Sequence, residues 1–512
     1  MTDSVINRVV AGPPAPGHRI SFLRLGSRRT LDLTELYERS GRVAAYLRSL
    51  GVESGDRIGI LAANSLEWVL LDLAALRLKA VVAGFEPGKF ADAAELVARY
   101  GLKALFTDRE VPAGTPSAVR AFADVAEAAE RTWTELPEPV VYEPEEVTTI
   151  KFTSGSTGVP KGLGATVGSI DASMRAVQEI FEHGGDDNLF VFLPLSLLQQ
   201  RYWIYSALCF GHDATVTTYE AAFAALATAR PTVVMGVPAF FEVAKQQIGQ
   251  DAARASGVTP DAARRAAARR LFGDRIRYLW TGSAPADREV LRYLTDAGLP
   301  IYEGYGLNET CIVSKNHPGA HKEGSAGRVL PGKQVLFDED GVILVRSEHP
   351  VNRRYEFAEP GASEAMFVAD GVVRTGDLGH VDEDGFLFIQ GRADDVIVLG
   401  NGKKVIVRPI EEHMRTSPAI EECVVFCPAQ TSLVAVVSPS SDTPDLAAIA
   451  DQLAHTNASF GRDEQIRKVV VASPRPSIAN GMLTSQFKPR RQAIFAAFQA
   501  EITNNQDGIH AQ

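Results

Sequence analysis

Thr153-Ser154-Gly155-Ser156-Thr157-Gly158-Val159-Pro160-Lys161-Gly162 decides the reading of this 512-residue chain. An apolar, β-branched run from Val147 to Phe152 precedes it and reads as a strand. Helical spacing follows, from Ile170 to Phe181. Glycines let a backbone approach a phosphate closely, Ser and Thr hydroxyls donate to its oxygens, and a lysine adds a point charge. The segment therefore reads as a loop that grips a polyphosphate between a strand and a helix. It is not the common P-loop, which needs four residues between two glycines and then Gly-Lys-Ser/Thr. Here Gly155 and Gly158 are closer together, and Gly162 follows Lys161. A flexible Ser/Gly linker with an incidental lysine is the rival reading. The regular elements on both sides disfavour it.

Working outward, the first third alternates helix and strand signals. Thr34 is a candidate N-cap, Leu36, Val43, Leu47 and Leu50 recur near helical period, and Gly51 stands where a C′ glycine belongs. Strands are expected at Arg57–Leu61, Val81–Phe85 and Ala104–Thr107, with a helix over Ser65–Leu78. The middle repeats the alternation, with strands at Leu189–Leu193, Thr232–Gly236, Arg277–Thr281 and Pro300–Glu303. Such βα alternation implies a mostly parallel sheet covered by helices. Two strands run into glycine-containing loops, Gly282-Ser283-Ala284-Pro285 and Gly304-Tyr305-Gly306, which is where open α/β sheets bind ligands. From about Gln334 the pattern becomes β-rich, with Asp-Gly hairpin signals at Asp340-Gly341 and Asp384-Gly385. After Arg392 a separate α+β stretch begins.

Composition narrows the function class. The chain is 45% hydrophobic and 22% charged, and too long for one core. A net charge of −11 disfavours non-specific nucleic-acid binding. The first twenty residues lack signal-peptide organisation and no apolar run is long enough to span a bilayer, so a cytoplasmic protein is expected. The four cysteines lack a His or Cys cluster, so zinc is not expected and reduced thiols are.

Four further segments match a single pattern in order: Tyr302-Glu303-Gly304-Tyr305-Gly306-Leu307-Asn308-Glu309-Thr310, Arg374-Thr375-Gly376-Asp377-Leu378-Gly379, Phe388-Ile389-Gln390-Gly391-Arg392-Ala393-Asp394-Asp395, and Asn480 to Arg491. With the opening loop they resemble the adenylate-forming superfamily of acyl-CoA synthetases, nonribosomal adenylation domains and luciferases. The stretch Leu193 to Arg201 is most similar to the long-chain acyl-CoA synthetase branch, although Leu197 stands where that branch has His. The sequence also departs from the family in carrying Asn308 for Thr, and Ile406 to Pro409 after the loop Asn401–Val405.

The resemblance implies an α/β fold with a large N-terminal α/β domain, residues 1–392, of parallel-type sheets. It includes a β-rich subdomain over about 334–392. A small, mobile α+β lid over 393–512 follows a hinge at Asp394. It implies two half-reactions: Mg-ATP and a carboxylic acid give acyl-AMP and pyrophosphate, and a thiol, most often coenzyme A, displaces AMP. Thr153, Ser154, Gly155, Ser156, Thr157, Gly158 and Lys161 would hold phosphates. Gly282, Ser283, Ala284, Glu303, Gly304, Tyr305, Gly306 and Asn308 would line the nucleotide site, with Tyr305 on adenine. Glu309 would hold Mg²⁺, since one carboxylate plus phosphates typically suffices. Asp377 and Arg392 would hold the ribose, and Lys488 would be the catalytic cation between carboxylate and α-phosphate. Leu197, Arg201 and Phe240 would line an apolar acid pocket, so a bulky hydrophobic acid is expected. Two rival functions remain at this stage: adenylation alone, with the acyl group passed to a carrier protein or separate transferase, and a nucleotide-binding regulator without turnover. Intact Glu309 and Lys488 count against the second. Monomer and homodimer are both open.

Overall fold

The computed structural model describes residues 4–90, 92–153, 160–430, 432–483, 489–504 and 508–510. The chain forms two compact units. The first holds Met1–Leu336, Leu344–Thr375 and Val381–Leu387; the second holds Phe337–Ile343, Gly376–His380 and Phe388–Gln512.

The first unit contains the expected α/β layers. In a six-stranded sheet, Val119–Ala121, Leu102–Thr107, Arg57–Leu61, Val81–Phe85 and Val147–Thr153 run parallel in that order, and Lys161–Thr166 closes the edge antiparallel. A nine-stranded sheet has Asn188–Val191, Val233–Gly236, Tyr278–Thr281 and Ile301–Leu307 as parallel neighbours, then Cys311–Lys315 antiparallel. The helix Leu33–Ser49 buries Leu36, Val43 and Leu47 as the spacing predicts. Its N-cap is Asp32 rather than Thr34, because strand Ser27–Asp32 ends only there. The helix Leu66–Leu76 starts at Ser65, whose hydroxyl accepts from the Trp68 amide. Ten of its residues are buried, so it is a core element rather than an amphipathic one.

The strand–loop–helix reading of the opening segment needs correction. A second strand, Lys161–Thr166, stands between the loop and the helix Val167–Phe181, so the loop is the tip of a hairpin. The sequence Lys161-Gly162-Leu163-Gly164-Ala165-Thr166 carries little β-propensity, which hid it. Its glycines answer a long-range need. A Cβ on Gly164 would lie 2.3 Å from Glu356 Oε1, and one on Gly162 would lie 2.7 Å from Phe357 Cδ2.

The Asp-Gly turns form as expected. Gly341 and Gly385 take positive φ, 80° and 82°. Asp338 accepts from the amides of Asp340 and Val342, and Asp382 from those of Asp384 and Phe386. The second unit has a four-stranded sheet, Ile420–Phe426, Leu433–Pro439, Ile466–Val471 and Ile509–His510, with helices Arg408–Met414 and Leu446–Ser459 packed on its core. Among the described residues no helix is long and apolar enough to cross a membrane.

Beneath the nine-stranded sheet, His183 shares a 2.7 Å hydrogen bond with the Tyr278 hydroxyl, and His212 shares one of 2.8 Å with Ser206. Burial first, then neighbouring His212, pushes His183 down to about 3; burial also lowers His212. Both rings are neutral in the folded state, whereas the unfolded chain protonates near 6.5. This stability is complete above about pH 6.5 and is lost as pH falls toward 3. For His183 the loss is roughly 1.4 kcal/mol per pH unit across that window. Thermal unfolding followed from pH 7.5 down to 5 should show Tm falling below about 6.5. His183→Gln should flatten that slope by about one proton's worth; an unchanged slope would acquit His183.

Candidate active site

The two ends of the phosphate-loop hairpin are fixed by pairing, with Thr153 opposite Lys161. Ser154, Gly155, Ser156, Thr157 and Gly158 lie outside the described residues, as does Lys488. Lys161 is described, and its ammonium sits 5.2 Å from the centre of the Tyr355 ring. The phenol of Tyr355 donates a 2.6 Å hydrogen bond to Glu309 Oε1. The structure thus brings Lys161 and Glu309, far apart in sequence, onto one tyrosine. Glu309 and Tyr355 are both 6% exposed. Burial first, then the Glu309 charge, raises the phenol well above its usual range, so it stays a donor. Sequence reasoning missed Tyr355. It lies in the polar run Asn352-Arg353-Arg354-Tyr355-Glu356, where no periodicity marks it.

Glu309 follows the strand Ile301–Leu307, which carries Glu303, Gly304, Tyr305 and Gly306. The chain turns tightly through Asn308–Thr310: the Leu307 amide donates to Thr310 Oγ1 at 3.0 Å. It re-enters the sheet at Cys311, whose φ is 54°. Gly306 cannot be replaced cheaply, because its Cβ would meet the Cys311 carbonyl oxygen at 2.0 Å. Gly304 makes room for Lys315, whose Cδ would lie 2.9 Å from an added Cβ. The Lys315 ammonium lies 3.8 Å from the Trp280 ring centre and donates to the Tyr302 carbonyl. Burial pushes it well below the usual lysine range.

The adjacent strand Tyr278–Thr281 ends in the second glycine loop. A Cβ on Gly282 would lie 3.2 Å from the Gly304 carbonyl, so the two predicted nucleotide segments lie side by side. Ser283 is exposed and takes φ 67°; Ala284 is half-buried. In the second unit, Arg392 donates to Asp377 Oδ1 at 2.9 Å, which pairs the two predicted ribose residues. Gly376 takes φ 74°, and a Cβ there would lie 2.9 Å from Arg392 Nη2. Asp394 is exposed, in the short 3-10 turn Ala393–Asp395.

Of the three predicted pocket residues, Leu197 and Phe240 share one apolar cluster and Arg201 lies apart from it. Phe240 packs with Phe192, Phe223 and Phe241, and Leu197 packs on the same apolar cluster. Arg201 is 1% exposed and belongs elsewhere: it donates to Asp72 Oδ1 at 2.8 Å and to Thr149 Oγ1 at 2.7 Å, with its guanidinium 5.3 Å from the Trp68 ring centre. Its place is a core ion pair. Leu197 is the N-cap of the helix Leu198–Ser206 and has extended backbone, so it lies outside the helical register that would put residues four apart on one face.

No group of three or more His, Cys, Asp or Glu side chains among the described residues could hold a metal by itself. Glu309 offers a single carboxylate beside the Lys161 end of the phosphate hairpin. That donor set suits an ion held mostly by a nucleotide's phosphates rather than by a protein cage.

The chain is similar to known proteins in sequence and in fold. The AMP-binding enzyme profile matches residues 14–349, and that of the AMP-binding enzyme C-terminal domain matches 394–507. The chain belongs to the AMP-binding enzyme family. Within that family it is an adenylate-forming enzyme of the acyl-CoA synthetase type. A long-chain-fatty-acid–CoA ligase, FadD15 of Mycobacterium bovis, is 29% identical, with 89% of each chain covered. A 2-succinylbenzoate–CoA ligase of Bacillus cereus is 28% identical over 76% of this chain and 79% of its own. ATP-bound MatB from Rhodopseudomonas palustris superposes with a TM-score of 0.80 at 21% identity, covering 98% of this chain and all of that one, which shows the shared fold.

Proposed function

We propose that this enzyme activates a hydrophobic carboxylic acid with ATP and transfers the acyl group to coenzyme A. One observation carries the reading: Tyr355 joins Glu309, the predicted metal-binding carboxylate, to Lys161, the predicted phosphate cation. A regulator that only bound nucleotide would need no such buried carboxylate beside its phosphate grip.

In the first step the acid's carboxylate attacks the α-phosphorus and pyrophosphate leaves. Lys161 draws the β- and γ-phosphates to the hairpin tip, with Thr153 and the loop hydroxyls. Glu309 would supply one ligand to Mg²⁺, which when bound offsets the triphosphate charge. Tyr355 keeps the Glu309 carboxylate oriented. Asp377 accepts from the ribose hydroxyls and Arg392 flanks it. Lys488 is assigned by resemblance to the cation between carboxylate and α-phosphate. In the second step a thiol attacks the acyl carbon and AMP leaves, with Asp394 as the hinge between the two conformations. The long-chain fatty acid named for one relative and the aromatic ring of the 2-succinylbenzoate named for another favour a bulky apolar acid.

Acid-dependent ATP–pyrophosphate exchange over fatty, aromatic and polycyclic acids tests the reading. Exchange with bulky acids, followed by acyl-CoA and AMP on adding coenzyme A, is the expected result. Exchange with only acetate-sized acids would overturn the substrate class. Exchange without acyl-CoA would favour a carrier protein as acceptor.

A further inference from the structure

Two lysines outside every predicted motif reach the turn that presents Glu309. Lys151 stands in strand Val147–Thr153, just before the phosphate loop, and is 2% exposed. Its ammonium donates to the Asn308 carbonyl and lies 3.7 Å from Cys311 Sγ. Lys333 opens the strand Lys333–Phe337. Its ammonium donates to the Thr310 carbonyl at 2.9 Å and to Ser347 Oγ at 2.8 Å. Asn308 and Thr310 are the residues on either side of Glu309. One cation therefore holds the carbonyl of the peptide entering Glu309, and the other holds the carbonyl one peptide beyond the one that leaves it.

Putting two ammonium groups into a protein interior is costly, and the cost is offset only where each finds good acceptors. Here both find backbone carbonyls of one three-residue turn. The turn's own hydrogen bonds join Leu307 to Thr310 and Thr310 to Cys311, and neither lysine-bound carbonyl takes part in them. The turn ends in a non-glycine residue with φ 54°, a conformation that persists only when its surroundings over-determine it. The Tyr202 hydroxyl lies 3.5 Å from Cys311 Sγ and packs the far side of the same bend. A methionine at position 151 or 333 would fill the same volume but let the carbonyl swing.

We propose that Lys151 and Lys333 are positioning residues for Glu309, clamping the peptide that enters it and the peptide that leaves Thr310, so that its carboxylate meets the metal of the bound nucleotide. This rests on Glu309 being the metal-binding carboxylate. It adds that the strand leading into the phosphate loop also sets the aim of that carboxylate.

The test is Mn²⁺ binding in the presence of a non-reactive ATP analogue, read by the EPR signal of free Mn²⁺, on wild type, Lys151→Met, Lys333→Met and Glu309→Gln. A metal-site partner lost from the surrounding shell typically costs about 10–100-fold in metal affinity. Each lysine variant should therefore weaken Mn²⁺ by roughly tenfold or more, while affinity for the analogue without metal stays within about twofold. Lys151→Gln, which keeps a donor of shorter reach, should fall between wild type and Lys151→Met. If Lys151→Met does not fold, Lys333→Met carries the same comparison from the other side. A purely structural role would lower Tm and the yield of competent protein but leave the Mn²⁺ dissociation constant unchanged, and that result overturns the inference. If Glu309→Gln itself leaves Mn²⁺ binding unchanged, the assignment of Glu309 fails, and the role of the lysines toward it fails with it.

Discussion

Glu309→Gln should reduce acid-dependent ATP–pyrophosphate exchange by roughly 10²–10³-fold, the scale for losing one preorganised electrostatic contact to a charged transition state. The substitution keeps the size of the side chain and can still accept from the Tyr355 phenol, now at an amide oxygen. What it removes is the negative charge, so a loss of rate cannot be ascribed to a collapsed turn. The companion Tyr355→Phe keeps the charge and removes the hydrogen bond. It should cost much less, about tenfold, because the carboxylate remains and only its orientation relaxes. The order of the two effects is the decisive part. If Tyr355→Phe were as damaging as Glu309→Gln, the tyrosine would be acting on the substrate directly. If Glu309→Gln retained most of the exchange activity, the metal would have another anchor.

The largest effect on stability is expected at Asp72→Ala. Asp72 is 3% exposed and accepts from Arg201 at 2.8 Å and from the Tyr205 hydroxyl at 2.6 Å. Burial alone would lower the Arg201 pKa, but the Asp72 charge more than offsets it and keeps the cation. Removing Asp72 leaves a fully enclosed guanidinium without its counter-ion, a change that typically costs about 3–5 kcal/mol. Replacing both residues, Asp72→Leu with Arg201→Met, should recover most of that, because an apolar pair of similar volume avoids the desolvation cost altogether. Guanidinium titration followed by tryptophan fluorescence measures both; Trp68 lies against Arg201 and reports on the site. A loss below about 1 kcal/mol for Asp72→Ala would mean that water reaches the arginine. The network also joins the helices Leu66–Leu76 and Leu198–Ser206 to Thr149, on the strand that leads into the phosphate loop. Part of the lost stability should therefore appear as weakened nucleotide binding.

Much of the fold was legible in the chain because its parallel strands are short apolar runs bounded by Gly and Pro, and its hairpin turns are marked by Asp-Gly. These signals are local. What escaped was set by distant partners. The strand Lys161–Thr166 is built from small residues because Glu356 and Phe357 press against it, and nothing within the strand announces that. Tyr355 reaches Glu309 across a long stretch of sequence, with no regular spacing to expose it. Lys151 did leave a trace, a charge between Ile150 and Phe152 inside an otherwise inward-facing strand, and a buried charge of that kind asks for a partner. Leu197 and Arg201 read as one pocket wall because they are close in sequence. The helix start between them sends one to the aromatic cluster and the other to Asp72. The segments Gly282–Ala284 and Glu303–Gly306 were legible as neighbours because they follow or end adjacent parallel strands, where the βα alternation itself points.

The pairing of Thr153 with Lys161 makes the hairpin a measuring device. Side chains along a strand alternate between faces, so sliding either arm by one residue would exchange Lys161 for a neighbour that points the other way. Thr153 and Lys161 are the two fixed points between which the signature segment runs. A one-residue slip in either arm would misdirect the lysine even with every residue of the signature segment kept.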